Sequence, residues 1–149
     1  MNSKITMVSI DSIDETNAGL PQHKMDERLM TLMDQVLAGS LRMYYGEVPI
    51  GQLVPYDLDY RPDLHPITKE VIESFIEEWK RGHLQKMIVY QRGTWFVVSD
   101  DYITLFAVLR GRPDYVPCWI LGKPEHAQVK NVQGPIAQAD VNKVLGLAE

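Results

Sequence analysis

The sequence predicts an α+β fold, in which helices pack on a small mixed sheet. Apolar residues recur at three- and four-residue steps in some segments, which is typical of amphipathic helices. In other segments they run without a break for four or more residues, which is typical of buried strands. Two such runs flank Arg92-Gly93 and predict a tight hairpin, so at least one pair of strands is antiparallel.

Composition and length indicate one compact domain. The chain has 149 residues, 45% of them hydrophobic and 23% charged, which suits one core. The net charge of −5 excludes a basic surface all around the molecule, although it leaves a local basic patch open. Cys118 is the single cysteine, which excludes an internal disulfide and a cysteine-based zinc cluster. With no secretory signal and no apolar run of about 20 residues, we expect a cytoplasmic protein without membrane contact.

The first helix follows an N-terminal arm. Residues 1–22 predict irregular structure with one short strand, and the helical pattern begins at Lys24. Gly39 ends this helix, because glycine adopts the left-handed conformation at little cost. Its apolar stripe contains Met33 and is broadened by Met30. We expect the stripe to cover the open side of the domain, with a partner surface as the alternative.

The second helix has the clearest pattern in the chain. It follows a loop at Asp57–His65, and Thr68 is its expected N-cap. Gly82 is its expected end. We expect Phe75 and Trp79 to be largely buried, because both lie on its wide apolar face.

The second half of the chain alternates strands with helices. The predicted hairpin pairs Met87–Tyr90 with Trp95–Val98, and a helix of about Asp101–Arg110 follows directly. Tyr115–Leu121 is predicted to return as a strand. Pro135 is expected to begin a final short helix, since proline is tolerated in a first turn.

This order of elements resembles a known family. Residues 48–55 read Val-Pro-Ile-Gly-Gln-Leu-Val-Pro, similar to the strand and Leu-x-Pro turn that open a ParB-like N-terminal domain. The family's order of elements continues along the chain. It has a loop arginine at position 61, a helix, a glycine, a strand at 84–89, a hairpin, a helix and a Val-Pro strand at 116–117. The resemblance covers 47–122 and extends to the superfamily that includes sulfiredoxin. Residues 1–46 then form an arm and helix, and 123–149 a tail with a short helix.

The chain departs from the family at the motif that holds nucleotide phosphates. Where the family has Gly-Glu, followed by Arg or His and then Arg, this chain has Asp-Asp-Tyr-Ile at 100–103. The resemblance therefore implies a degenerate nucleotide pocket, whose candidate residues are Arg61, Lys86, Asp100, Asp101 and Tyr102. Lost arginines and an added carboxylate disfavour a triphosphate. We expect no cofactor, no metal site and no catalytic residue, with magnesium and a nucleotide together as the alternative.

Other side-chain groups allow two interpretations each. The acids and histidines at 57–65, 83 and 100–101 are consistent with a divalent-metal site, but a solvated loop with helix caps is favoured because no ligand spacing is diagnostic. Arg61 is suited equally to a phosphate and to a structural salt bridge. Cys118 lies in a predicted strand and is expected in the core. The catalytic cysteine of sulfiredoxin lies in the phosphate motif, where this chain has no cysteine. The basic residues at 80–83 suit a helix C-terminus better than a nucleic-acid contact.

The three tryptophans also allow two interpretations. Trp79, Trp95 and Trp119 lie in apolar segments and are expected in the core, with a base-stacking surface as the alternative.

We therefore expect a non-enzymatic binding or regulatory protein. The resemblance associates it with DNA handling in a plasmid, phage or chromosomal system. A protein partner or a second copy of the chain is the expected partner, and nucleic acid through a local basic patch stays open. The alternative is an active member of the superfamily, a nucleotide-dependent enzyme or a metal-dependent nuclease. After Gly122 the sequence offers too few residues for the helix-turn-helix domain of centromere-binding relatives.

Overall fold

A computed structural model describes residues 24–83, 86–99, 101–125 and 128–145. Within them the fold is α+β, with four helices and one mixed sheet of six strands, as predicted. The elements are α1 (Glu27–Ala38), β1 (Met43–Pro49), β2 (Leu53–Pro55), α2 (Pro66–Lys80), β3 (Met87–Arg92), β4 (Trp95–Val98), α3 (Tyr102–Gly111), β5 (Tyr115–Leu121), β6 (Lys130–Gln133) and α4 (Gln138–Val144). The arm predicted for 1–22 lies outside the described residues. No helix in the described part of the chain is long and apolar enough to cross a membrane.

The strands lie in the order β2-β4-β3-β5-β1-β6. The predicted hairpin is confirmed: β3 and β4 are antiparallel, Tyr90 lies opposite Val97, and Gly93 has a φ of +65° in the turn. β3 is parallel to β5, and β2 is parallel to β4. β1 is antiparallel to both of its neighbours. The end of β4 therefore lies beside the end of β2, and α3 begins directly after it.

Helices cover both faces of the sheet. Side chains on one face of the sheet, such as Val89, Phe96 and Cys118, share a core with α2 and α3. The alternate side chains of the same strands point to the other face, where Ile88 and Val97 share a second core with α1 and α4. This alternation is the period-2 pattern of a strand whose two faces are both buried. We call these surfaces the α2–α3 face and the α1–α4 face.

The helix α1 ends at the predicted glycine and packs on the sheet. Gly39 has a φ of +84°, and its N–H caps the last turn. Leu29, Leu32 and Val36 are buried against the α1–α4 face. Met33 packs beside them, whereas Met30 is 52% exposed. The stripe therefore covers the sheet, and Met30 lies at its outer edge.

The start of α2 differs from the prediction. The helix begins at Pro66 and its N-cap residue, His65, makes no side-chain cap hydrogen bond. Thr68 is fully buried inside the first turn instead of capping it. Proline at the first helical position suits this start, because its missing N–H needs no partner there. Phe75 and Trp79 are mostly buried, which agrees with the prediction: Phe75 packs against the core of the α2–α3 face, and Trp79 packs against Gly111.

Four other parts of the structure also differ from the prediction. β1 begins at Met43, so it crosses the expected division between residues 46 and 47. The expected Leu-x-Pro turn at 53–55 is instead the short edge strand β2. The edge strand β6 was not predicted, because all four of its residues are exposed and carry no apolar alternation. The last helix begins at Gln138, three residues after the expected Pro135.

Candidate functional site

Two of the predicted pocket residues, Asp101 and Tyr102, lie where α3 begins, at the end of β4. Asp101 is fully buried and caps α3, because its Oδ1 accepts a hydrogen bond from the N–H of Thr104 at 3.3 Å. Tyr102, the first residue of α3, is also fully buried. Its ring contacts those of Tyr60 and Phe106, at centroid distances of 5.5 and 6.3 Å. The two residues of the motif at 100–103 that begin this helix, Asp101 and Tyr102, are therefore packed inside the protein.

Asp57 ties this region to the loop after β2. Its N–H donates to the Tyr102 hydroxyl at 2.8 Å. Its buried carboxylate accepts from the N–H of Lys24 at 3.0 Å and from that of Asp59 at 3.1 Å. One residue thus joins the start of the described chain, its own loop and α3.

A third buried carboxylate, Asp26, caps α1. Its Oδ1 accepts from the N–H groups of Arg28 and Leu29, at 3.0 and 3.2 Å. Its Oδ2 accepts from the hydroxyls of Tyr90, at 2.7 Å, and Ser99. Four donors on a residue that is 4% exposed offset the cost of burying a charge.

We use the name carboxylate cluster for two hydrogen-bonded groups, Asp26 with Tyr90 and Ser99 and Asp57 with Tyr102, together with Asp101 at the start of α3. The first N–H groups of a helix are ready donors for an anion. In this cluster the chain's own carboxylates take such donors at the starts of α1 and α3. Burial and the neighbouring Asp26 raise the pKa of the Tyr90 phenol, so that hydroxyl keeps its proton and donates.

The structure does not bring all the predicted pocket residues together. Arg61 is close to α3, with its guanidinium 5.4 Å from the Phe106 ring centroid, but it forms a two-point salt bridge with Asp63. Lys86 lies on the other face of the sheet, over the rings of Tyr45 and Trp119. Asp100 is outside the described residues. Asp101 and Tyr102 are neighbours, but both are buried.

The other candidates are placed as follows. Cys118 is fully buried, and burial raises the pKa of its thiol, so it is an unreactive core residue as predicted. Among the described residues, no three His, Cys, Asp or Glu side chains are grouped to hold a metal ion. Arg81 and His83 both contact Glu78, at 2.8 and 3.1 Å, which fits a solvated helix end.

The tryptophans do not form one surface. Trp79 packs against Gly111 on the α2–α3 face. Trp119 is half-buried on the α1–α4 face. Trp95 is 51% exposed at the start of β4, so its predicted place in the core is wrong.

A cavity of about 500 Å³ adjoins the carboxylate cluster. It is lined by residues 25–28 at the start of α1, by Tyr56, and by residues 90–92 at the end of β3. It shares Asp26 and Tyr90 with the cluster, whereas Asp101 and Tyr102 are not on its walls. This cavity therefore adjoins the cluster at the start of α1, and the residues at the start of α3 do not line it.

Sequence reasoning missed Asp26, Tyr90 and Ser99. An aspartate just before a helical stripe is a typical N-cap, so the sequence did contain a signal for the cap. It contained none for the two hydroxyl donors, which lie 64 and 73 residues away along the chain.

Comparisons of the chain with protein-family models, with curated proteins and with solved structures found no match.

Proposed function

We propose that this protein is a non-enzymatic binding or regulatory domain that resembles ParB-like N-terminal domains and has side chains in place of bound phosphate. One observation carries the proposal: Tyr102 is fully buried at the first position of α3, and its hydroxyl accepts the N–H of Asp57. A ligand phosphate near this helix start would have to displace a packed aromatic ring.

The electrostatics of the region support the same conclusion. Binding a triphosphate needs cations or free N–H groups directed at its oxygens. The Asp101 carboxylate already accepts the Thr104 N–H, and Arg61 is paired with Asp63. Each lost charge-assisted hydrogen bond removes about 1.5–3 kcal/mol, so two losses weaken binding by about two to four orders of magnitude.

The wider proposal follows the resemblance. The protein acts in the cytoplasm, in a system that handles DNA, and works through a partner rather than through a cofactor. A protein partner or a second copy of the chain fits a regulatory role. Among the described residues, large apolar side chains exposed near the start of α2 add surface for such contacts, namely Leu58, Leu64 and Ile67.

Calorimetric titration with CTP and with ATP, each with magnesium, tests the proposal. We expect heats equal to those of dilution for the wild-type chain. The variant Arg61→Ala should give the same result, and so should Arg110→Ala, a matched variant whose arginine pairs with Glu73 on the outside of α2. A micromolar dissociation constant that Arg61→Ala abolishes and Arg110→Ala preserves would contradict the proposal and favour the nucleotide-dependent enzyme.

A further inference from the structure

Part of the α1–α4 face carries aromatic side chains that the helices leave half-exposed. Met43 and Leu121 lie opposite each other in the β1–β5 pair, and both are buried. The next pair on the same face, Tyr45 and Trp119, is half-buried, with ring centroids 5.8 Å apart. Tyr115, at the start of β5, is half-buried too. On this face, β5 therefore changes from a buried residue at Leu121 to partly exposed residues at Trp119 and Tyr115.

Two lysines lie on either side of these rings. The Lys86 ammonium is 5.9 Å from the Tyr45 ring centroid and 5.7 Å from that of Trp119. The Lys130 ammonium is 4.3 Å from the Tyr115 ring centroid. Both lysines are exposed, and neither forms an ion pair with the described residues. We call Tyr45, Tyr115, Trp119, Lys86 and Lys130 the aromatic–lysine face.

The acid on this face, Glu47, is held by other groups. Its Oε1 accepts from the Asn131 side chain at 2.8 Å, and its Oε2 accepts from the Tyr45 hydroxyl at 3.4 Å. Burial and Glu47 raise the pKa of Tyr45, so the phenol stays protonated and donates. The two ammonium groups are therefore the free charges of the face, in a chain whose net charge is −5.

We propose that the aromatic–lysine face binds single-stranded nucleic acid. A single strand offers phosphates to unpaired ammonium groups and unstacked bases to half-exposed rings. Lysine side chains are long and flexible, so Lys86 and Lys130 can move from the rings to phosphates while bases take their place. The spacing along a sheet suits this partner, since rings on neighbouring strands lie side by side on one surface.

Two other polyanions fit the face less well. A duplex keeps its bases stacked on each other, so its bases cannot stack on the rings without being flipped out. An acidic peptide matches the lysines but leaves the ring faces without a planar partner. Single strands alone satisfy both the charge and the aromatic surface.

Such binding deepens the proposed function and rests on it, because it gives a non-enzymatic domain a partner in DNA handling. The two can still fail separately. The nucleotide titration probes Asp101 and Tyr102 beneath α3, whereas a strand would contact side chains on the other face of the sheet. An absence of strand binding with no nucleotide binding would overturn only the partner named here.

Fluorescence anisotropy at low salt tests the proposal with four labelled probes: a 12-nucleotide thymidine strand, an abasic strand of the same charge, a duplex of equal length and polyglutamate. We expect the thymidine strand to bind at least about fivefold more tightly than the abasic strand, since stacking one base is worth about that factor. We also expect it to bind more tightly than the duplex and polyglutamate. Equal affinity for thymidine and abasic strands would overturn the stacking role, and tighter binding of polyglutamate would identify an acidic protein segment instead.

A charge-matched pair of variants locates the site. Lys86→Glu with Lys130→Glu should weaken binding of the thymidine strand at least about tenfold. The slope of log affinity against log salt concentration should become shallower by about 1.4, which corresponds to the loss of two phosphate contacts. Lys69→Glu with Lys80→Glu changes the net charge equally on the exposed side of α2 and should leave affinity within about twofold. Quenching of Trp119 fluorescence should accompany binding, and Trp119→Phe, which keeps a ring, should remove that signal but not the binding. Equal losses in both double variants would overturn the site.

Discussion

The carboxylate cluster and the aromatic–lysine face use similar side chains in opposite ways. Both combine tyrosines with charged groups, and Asp26–Tyr90 in the first resembles Glu47–Tyr45 in the second. In the cluster the carboxylates are buried and accept hydrogen bonds from backbone amides and hydroxyls. On the face the free charges are exposed ammonium groups over half-exposed rings.

This difference separates a structural role from a binding role. A buried charge must be satisfied inside the protein, so its partners are fixed and its removal costs folding free energy. An exposed charge keeps most of its hydration, so its removal costs little stability and changes what the surface attracts. Substitutions in the cluster should therefore act on folding, and substitutions on the face should act on binding.

The largest effect is expected at Asp26. The variant Asp26→Ala removes the N-cap of α1 and leaves two buried hydroxyl donors without their acceptor. We expect a loss of about 3–5 kcal/mol in the free energy of unfolding, measured by urea denaturation. Asp34→Ala changes an exposed aspartate on the same helix and should stay within about 0.5 kcal/mol of the wild type. Similar losses in the two variants would show that the cluster is not a structural unit.

A smaller effect is expected at Tyr102. The variant Tyr102→Phe keeps the ring but leaves the buried N–H of Asp57 without its acceptor. The expected loss is about 1–2 kcal/mol by the same measurement. Tyr44→Phe is the matched control, because the Tyr44 hydroxyl makes no hydrogen bond to the described residues, and it should have little effect. If Tyr102→Phe were as stable as Tyr44→Phe, the hydrogen bond from the Asp57 N–H to the Tyr102 hydroxyl would not stabilise the fold.

The cluster should also give the protein a characteristic alkaline response through Tyr90. The pKa of this phenol is raised in the folded state above its ordinary value of 10.0, first by burial and then by Asp26. The stabilisation from the neutral phenol is therefore complete below pH 10 and is lost as the pH rises further. Unfolding curves between pH 9 and pH 11, about one unit either side of the ordinary pKa, should show a steeper fall for the wild type than for Tyr90→Phe. Parallel pH dependence in the two proteins would contradict this role for Tyr90.

The smallest stability effect is expected on the aromatic–lysine face. Replacing Lys86 by Met keeps the length of the side chain and removes its charge above Tyr45 and Trp119. An exposed cation–π contact is worth about 0.5–1 kcal/mol, so the melting temperature should hardly change while strand binding weakens. A large drop in stability together with unchanged binding would reverse the assignment of roles.

The sequence predicted the local parts of this fold. The hairpin at Met87–Val98 and the helix stop at Gly39 depend on neighbouring residues, so their patterns are visible in the chain itself. The edge strands β2 and β6 were missed, because one has three residues with a proline and the other is exposed throughout. Their pairing depends on distant strands, which no local period encodes.

The candidate site shows the same division. The sequence predicted helix-cap chemistry at residues 100–101 without choosing between them, and the structure gives the cap to Asp101. The separation of Lys86 from Arg61 was not predicted, because the face to which a side chain points depends on the strand register. Trp119 was considered as core and as a stacking residue, and its half-buried position follows from where α1 and α4 stop covering the sheet.

One measurement tests the contrast between the two regions most directly. A backbone-amide NMR spectrum of the ¹⁵N-labelled protein, titrated with the thymidine strand and separately with magnesium CTP, reports on both regions at once. We expect the strand to shift the amides of Tyr45, Lys86 and Trp119 and to leave those of Asp101 and Tyr102 in place, while magnesium CTP shifts neither group. Shifts at Asp101 and Tyr102 on addition of CTP, with none on the aromatic–lysine face, would contradict the account.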